Sequence, residues 1–498
     1  MDIIDIHVHT QAVPDYDEAA RRLVDHMRMH GISRMILSDL GDGWRPFPDS
    51  RTVRIANDRV EKLCARVPNS LSFLVYLNPQ LPDWREEFLR HRETAVGVKL
   101  WISLRREGDS SLENSIEVLQ TAARYGLPVL IHTFDCTDGL AFGSIGIDGL
   151  IELAERVPNC TIVAAHACGN WRRAIDNAAS FPANVFFDIS GSYPERTMVS
   201  RLVSRFGANR ILFGSDAPGR SWGSQLHKVM EAGLSETDRD AVLRKNAETI
   251  FRLAPPAETV PEPCLPRHEM ADSREDHFCF AGRSPWFDHH VSVSNLANFA
   301  RRNGVTCAYA ASLDALGAAS VPDANESWLA ETASYRMIRP LAVVDLRDAG
   351  RSLRQLERMD RFAGVWISPY LHHYRLDAED FRQFFERCAR CGIPVWINVA
   401  LSDDRFRWRG LSTRKVSERE IADFFRAAPR NRYVIQGAEN HSQLDRLLPE
   451  YVRLEYSRLS DGEYSAEDFS GDLRRLCRGS EYPFRDYSAV DDVLLGKI

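Results

Sequence analysis

Eight short apolar runs recur through the first half of the chain: "IIDIHVH", "ISRMILS", "LSFLVYL", "AVGVKLWI", "LPVLIHT", "CTIVAAHA", "VFFDISG" and "RILFGSDA". No other feature limits the fold as strongly. The runs are continuous rather than alternating, as parallel strands covered on both faces require. Between them lie helical patterns such as "DEAARRLVDHMRMHG" and "LENSIEVLQTAARYG", each closed by a glycine where a helix C-cap belongs. Eight strand–helix units in about 250 residues predict a (β/α)₈ barrel. A doubly wound open sheet is the alternative, but no glycine-rich phosphate loop follows the first run.

Catalytic groups in such a barrel sit at the C-terminal ends of the strands. Those ends carry His7 and His9 on strand 1, Lys99 on strand 4, His132 on strand 5, His166 on strand 6 and Asp216 on strand 8. His7 and His9 flank Val8, and residues i and i+2 of a strand share a face, so the pair forms half of a metal site. Four histidines and one aspartate at one topological level predict three or four N/O ligands around a divalent ion, with a position left open for water.

The order HxH, Lys at strand 4, His at strands 5 and 6, and Asp in "GSDAP" at strand 8 resembles the amidohydrolase superfamily. More narrowly it resembles the amidohydrolase-2 branch of small-molecule hydrolases and decarboxylases of the aminocarboxymuconate-semialdehyde type. "RIANDRVEKLCARVPN" and "RKNAETIFRL" are also similar to that branch's second and closing helices, so the resemblance spans about residues 1–254. It implies that His7, His9, His132 and Asp216 hold one divalent metal, zinc or else manganese. It also implies that His166 is a neighbouring acid/base or a further ligand.

Metal-activated water is the expected nucleophile, with Asp216 taking and returning its proton and His166 polarising a carbonyl or orienting the water. Lys99 is expected to serve the site, because only six of the 63 basic side chains are lysines. A lysine here suggests work an arginine cannot do. A second metal is expected only if Lys99 is carboxylated. Arg105, Arg106, Arg196 and Arg220 follow strands 4, 7 and 8, where they could clamp a carboxylate, and Trp101 and Trp222 could wall the pocket. Cys136 and Cys168 read as packing residues, and His26 and His30 as surface ones.

Residues 255–274 carry proline without periodicity and read as a linker between domains at 1–254 and 275–498. Beyond it the first half recurs, with an offset falling from 273 to 265 residues. "AARYGLPVLIHT" answers to "CARCGIPVWINV", "NCTIVAAH" to "NRYVIQGA" and "FGSDAP" to "RGSEYP". By this alignment His7, His9, Lys99, His132, His166 and Asp216 become Phe278, Phe280, Trp366, Asn398, Ala438 and Glu481. The expectation is a degenerate, metal-free second barrel, with a shifted polar site at Glu439, His441, Glu455 and Glu481 as a rival reading. The histidine pairs at 289–290 and 372–373 read as exposed loop residues, and Cys388 and Cys391 as helix packing.

A net charge of −7 gives no footing for nucleic-acid or membrane-surface binding, and the scattered cysteines suit a reduced cytoplasmic protein. No secretory leader is expected, because the first strand starts at Asp2. The expected function is metal-dependent hydrolysis of a lactone, amide or ester. The alternatives are a non-oxidative decarboxylase using the same metal, and a non-catalytic scaffold acting through the second barrel. The expected partners are a small-molecule substrate and either a second copy or another protein on the second barrel.

Overall fold

The structure is a computed structural model that describes residues 2–10, 13–41, 48–101, 111–136, 139–140, 145–191, 196–220, 222–230, 232–253, 274–283, 290–401, 413–438, 440–456 and 472–480. The chain divides into two compact units at Pro266–Arg267, within the proline-rich stretch.

In the first unit the strands are β1 (Ile3–Thr10), β2 (Ile32–Asp39), β3 (Leu71–Leu77), β4 (Gly97–Leu100), β5 (Val129–Ile131), β6 (Ile162–Ala164), β7 (Val185–Asp188) and β8 (Ile211–Leu212). They pair in parallel in that order. The helices that follow them are α1 (Tyr16–His30), α2 (Ser50–Cys64), α3 (Trp84–His91), α4 (Ser111–Tyr125), α5 (Ile147–Arg156), α6 (Trp171–Asp176), α7 (Arg196–Phe206) and α8 (Trp222–Met230). The expected punctuation is present. Asp15 caps α1 by accepting from the amides of Asp17 and Glu18, and Gly31 ends the helix in the left-handed region at φ 67°. Ile4, Ile6, Ile36, Leu74, Leu130, Val163 and Leu212 fill the barrel interior. A larger apolar shell lies between strands and helices.

The sheet closes on itself. Ile6 N donates to Phe213 O at 3.1 Å, Asp216 N to His7 O at 2.7 Å and His9 N to Ala217 O at 2.6 Å. Asp5, fully buried, clamps the seam: its Oδ1 accepts from the amides of His7 at 3.1 Å and Ser215 at 3.0 Å.

The second unit repeats the plan with β9 (Glu275–Arg283), β10 (Cys307–Ser312), β11 (Ile338–Val343), β12 (Gly364–Ile367), β13 (Val395–Asn398), β14 (Tyr433–Gln436), β15 (Val452–Glu455) and β16 (Leu476–Cys477), all paired in parallel. A short strand, His290–Val291, adds antiparallel to β9. This barrel closes too: His277 N donates to Arg478 O at 2.7 Å and Ser480 N to Phe278 O at 3.1 Å. Asp276 clamps the seam as Asp5 does, accepting from Phe278 N at 2.9 Å, Ser480 N at 3.1 Å and Ser480 Oγ at 2.6 Å. A second device recurs on the outer layer. Asn57 on α2 exchanges two hydrogen bonds with the backbone of Tyr76 at 2.8 and 2.9 Å. Asn325 does the same with Val343 at 2.8 and 3.1 Å.

The tandem (β/α)₈ reading therefore holds in both halves. Among the described residues no helix is long and apolar enough to cross a membrane. Asp276→Ala strands two buried amides and a hydroxyl, and should lower stability by about 2–4 kcal/mol in urea unfolding. A change under about 0.5 kcal/mol would show that the clamp does not hold the seam.

Candidate metal and catalytic site

β1 delivers both histidines to one point. An irregularity in its pairing with β2 between Asp5 and Val8 turns His7 and His9 into the barrel mouth, where both are buried. Their Nε2 atoms lie 3.1 Å apart. Asp216 Oδ1, from the end of β8, lies 3.6 Å from the first and 3.4 Å from the second. Asp216 sits in the left-handed region at φ 64°, and its side chain keeps 18% exposure.

Proton accounting shows what this group lacks. His7 Nδ1 donates to Asp188 Oδ2 at 2.8 Å, so His7 Nε2 carries a lone pair. His9 Nδ1 faces the carbonyl of Ser38 at 3.3 Å and its hydroxyl at 2.9 Å, so His9 Nε2 does too. Two lone pairs and a carboxylate oxygen thus converge, and the donor reaching them is Lys99 Nζ, 2.9 Å from His7 Nε2. Such a set suits a divalent ion. Metal–nitrogen bonds of about 2.0–2.1 Å place tetrahedral ligand atoms about 3.4 Å apart, close to the spacing seen. His7, His9 and Asp216 are one of two His/Asp groups compact enough for an ion among the described residues, the other being His7, His166 and Asp188.

The remaining histidines form a second tier. Ser190 gives its hydroxyl hydrogen to Asp188 Oδ1 at 2.5 Å, so its oxygen accepts from His166 Nδ1 at 2.8 Å. His166 Nε2 then accepts from His132 Nδ1 at 3.1 Å, which leaves His132 Nε2 with the free lone pair. His132 thus approaches the site through His166 and is outside both compact groups. Trp101 walls the site, its ring 5.1 Å from that of His132.

Burial sets the charges. It depresses His9 to about 4 and His166 to about 3, and it pushes His132 well below the ordinary imidazole value. Burial alone would raise Asp216, but the imidazoles of His166, His9 and His7 hold it well below the usual carboxylate range. Lys99, fully buried, is lowered by desolvation to about 8, against the pull of Asp216 and Asp188.

Asp188 and Ser190 organise much of this geometry, yet sequence reasoning passes over them. The signal lay in "VFFDISG", whose apolar run ends on an acid at the level where other strands end on histidine. Three surface readings are corrected. His26 and His30 are 1% and 8% exposed, because α1 packs them inward, with His26 stacked on Trp222 at 4.2 Å. Trp222 therefore packs against α1. His372 is buried beside Asp345, whereas His373 and His290 are exposed. Cys168 is buried with its thiol pushed up, as packing demands, and Cys388 is buried on its helix while Cys391 is exposed. Arg220 is half-buried and donates to Gly219 O at 2.6 Å. Arg105, Arg106, His289, Glu439, Glu481 and the linker lie outside the described residues, as do the side chains of Arg196 and Cys136.

In the second barrel the equivalent positions hold apolar volume. Phe278 and Phe280 pack edge to face at 4.5 Å, and Trp366, fully buried, sits 5.9 Å from Phe280 with its Nε1 donating to Gln436 Oε1 at 2.8 Å. Asn398 accepts from Ser368 Oγ at 2.9 Å. Val129 N donates to Thr161 O and Val395 N to Arg432 O, so the register makes Gly437, one residue before Ala438, the counterpart of His166. By the same register Glu455 answers to Asp188. Of the rival polar set, His441 Nε2 meets the Glu455 carbonyl at 2.8 Å, and both residues are buried.

No curated protein matches the chain. Three solved structures that resemble it each cover about half of it. The 2,6-dihydroxybenzoate decarboxylase of Rhizobium is 18% identical over 51% of this chain and 99% of its own, at a TM-score of 0.42. The 5-carboxyvanillate decarboxylase of Sphingomonas paucimobilis is also 18% identical over 51% and 99%, at 0.40. A manganese-bound dihydroxybenzoic acid decarboxylase of Polaromonas is 19% identical over 51% and 97%, at 0.41. The amidohydrolase family model (Amidohydro_2) matches residues 4–253 and again 308–440, more than half of the sequence and both barrels. The chain belongs to this amidohydrolase family of metal-dependent (β/α)₈ enzymes.

Proposed function

We propose that the first barrel is a divalent-metal-dependent, non-oxidative decarboxylase of a small carboxylic acid. His7, His9 and Asp216 would hold the ion, with His132 Nε2 as the further nitrogen ligand. A divalent ion held there supplies Lewis acidity toward a bound carboxylate. The observation that carries the reading is Lys99 Nζ, fully buried and 2.9 Å from His7 Nε2 among the convergent ligand atoms. Burial lowers His9, His132 and His166 and brings Lys99 down to about 8, which makes Lys99 a cation and an acid for the site at neutral pH. Loss of CO₂ leaves a carbanion that must take a proton, and Lys99 is placed to give one. The buried ammonium also attracts the substrate's carboxylate on entry. Trp101 offers an aromatic wall for the rest of a small substrate.

This order of preference reverses the sequence-based one, in which hydrolysis leads. Hydrolysis needs a base to take a proton from water, and Asp216 Oδ1 already faces His7 and His9 at 3.6 and 3.4 Å as a ligand candidate. One observation still favours hydrolysis. Asp216 keeps 18% exposure at the rim, so water reaches it. We read the second barrel as without metal and without catalysis of this kind, because rings occupy the positions of His7, His9 and Lys99.

Turnover of aromatic and aliphatic acids in labelled water separates the two readings. Decarboxylation releases CO₂ and places a solvent deuteron on the product carbon. Incorporation of ¹⁸O without CO₂ would establish hydrolysis instead. Lys99→Met should lower kcat by about 10²–10⁴-fold in steady-state assays with only a modest change in KM. A kcat within twofold of wild type would remove Lys99 as the acid. Asp188→Asn should weaken Zn²⁺ or Mn²⁺ binding about 10–100-fold in chelator competition, because His7 loses the carboxylate that fixes its tautomer. Unchanged affinity would show that Asp188 does not orient the ligand.

A further inference from the structure

Among the described residues Lys228, 1% exposed on α8, is with Lys99 one of two fully enclosed lysines in a chain that mostly chooses arginine. Lys228 Nζ donates to Ile189 O at 3.0 Å, Gly191 O at 3.1 Å and Gln225 Oε1 at 2.6 Å. The first two carbonyls bracket Ser190, the residue whose hydroxyl sits 2.8 Å from His166 Nδ1 and 3.2 Å from His7 Nδ1. Its amide also returns to Asp188 Oδ1 at 2.8 Å. The turn is tight against the site. Gly191 is at φ 111°, and a Cβ there would lie 3.4 Å from the His166 ring.

We propose that Lys228 is a positioning residue that holds the 189–191 turn and, through Ser190, fixes the orientation and tautomer of both His166 and His7. The choice of lysine follows from its geometry. Three acceptors converge on one point, and an ammonium presents three donors from one nitrogen. A guanidinium spreads its donors over a planar fork and cannot meet all three at once. The turn's other side-chain brace is Asp188, whose Oδ1 accepts from Ser190 N and Oγ, and Lys228 holds the two flanking carbonyls that Asp188 does not reach. A neutral side chain at 228 removes the ammonium donor from two buried backbone carbonyls and an amide oxygen, and frees the turn to shift.

The test uses the full-length, metal-free protein with ¹⁵N-labelled histidine, and reads imidazole nitrogen shifts by NMR. Lys228→Met should move the His166 and His7 signals toward mixed tautomers while leaving that of His91 on α3 in place. Lys228→Arg should give a partial effect. If Lys228→Met does not fold, Gln225→Ala removes one of the three acceptors and should move the same two signals less. Unmoved His166 and His7 signals in a folded variant overturn the proposal, and so does an equal shift of all histidines, which marks general loosening.

A second arm rests on the metal reading above. Co²⁺ affinity and the visible bands of the Co²⁺ protein should change in Lys228→Met, with affinity falling at least 10-fold. Combined with Ser190→Ala, the loss should be no larger than that of Ser190→Ala alone, since both act through one hydroxyl. Additive losses would overturn the route through Ser190. Failure of the wild type to bind Co²⁺ would sink the metal reading, and the tautomer signals would still decide the positioning role.

Discussion

Closure of each barrel rests on one buried aspartate. Asp5 and Asp276 each bond the amide two residues ahead on their own strand and the amide of a serine just past the last strand, Ser215 or Ser480. The contact is chemically small, but it joins the ends of an eight-stranded sheet and sets their register. In the first barrel that register places His7 O on Asp216 N, so the seam itself brings the histidine pair of β1 beside the aspartate of β8. The candidate ion site is therefore a product of closure. An open sheet would leave its two halves at opposite edges.

The two barrels share this scaffold and differ at the mouth. The Asn57 and Asn325 brackets, the seam aspartates and the parallel register are common to both. The mouth has moved from nitrogen and oxygen donors to rings. Where Lys99 reaches His7, Trp366 stands with Phe278 and Phe280 around it. A buried donor set without an ion is costly, whereas packed aromatic volume is stabilising without one. That asymmetry explains how the second barrel keeps its fold without these donors.

Strand ends were the legible part of the sequence. The eight runs, the glycine caps and the HxH pair all carry local signals, so the fold and the strand-end donors could be placed before any coordinates. The unread residues act through partners far away in sequence. Asp188 becomes meaningful only when His7 is seen 2.8 Å from it across 181 residues. His26 looks like a surface histidine on a charged helix, and only the stack on Trp222 shows that its face turns inward. The counterpart of His166 was misplaced by one residue because the two halves match poorly there. Strand pairing, which sequence does not display, fixes it.

That one-residue correction also shows how the second copy changed. His166, Ala167 and Cys168 all hold left-handed backbone, at φ 61°, 44° and 67°. Such conformations cost on the order of 1–3 kcal/mol each outside glycine, so the first barrel sustains them to present an imidazole. Gly437 keeps the left-handed turn at φ 76°, but as glycine, for which the conformation is free of that cost. A Cβ at this position would fall 1.9 Å from the carbonyl oxygen of Ala400. Backbone from the end of β13 therefore occupies the space where a ligand side chain would begin. Restoring a histidine there by substitution would require the β13 loop to move first, so this position has lost both the ligand and the room for it.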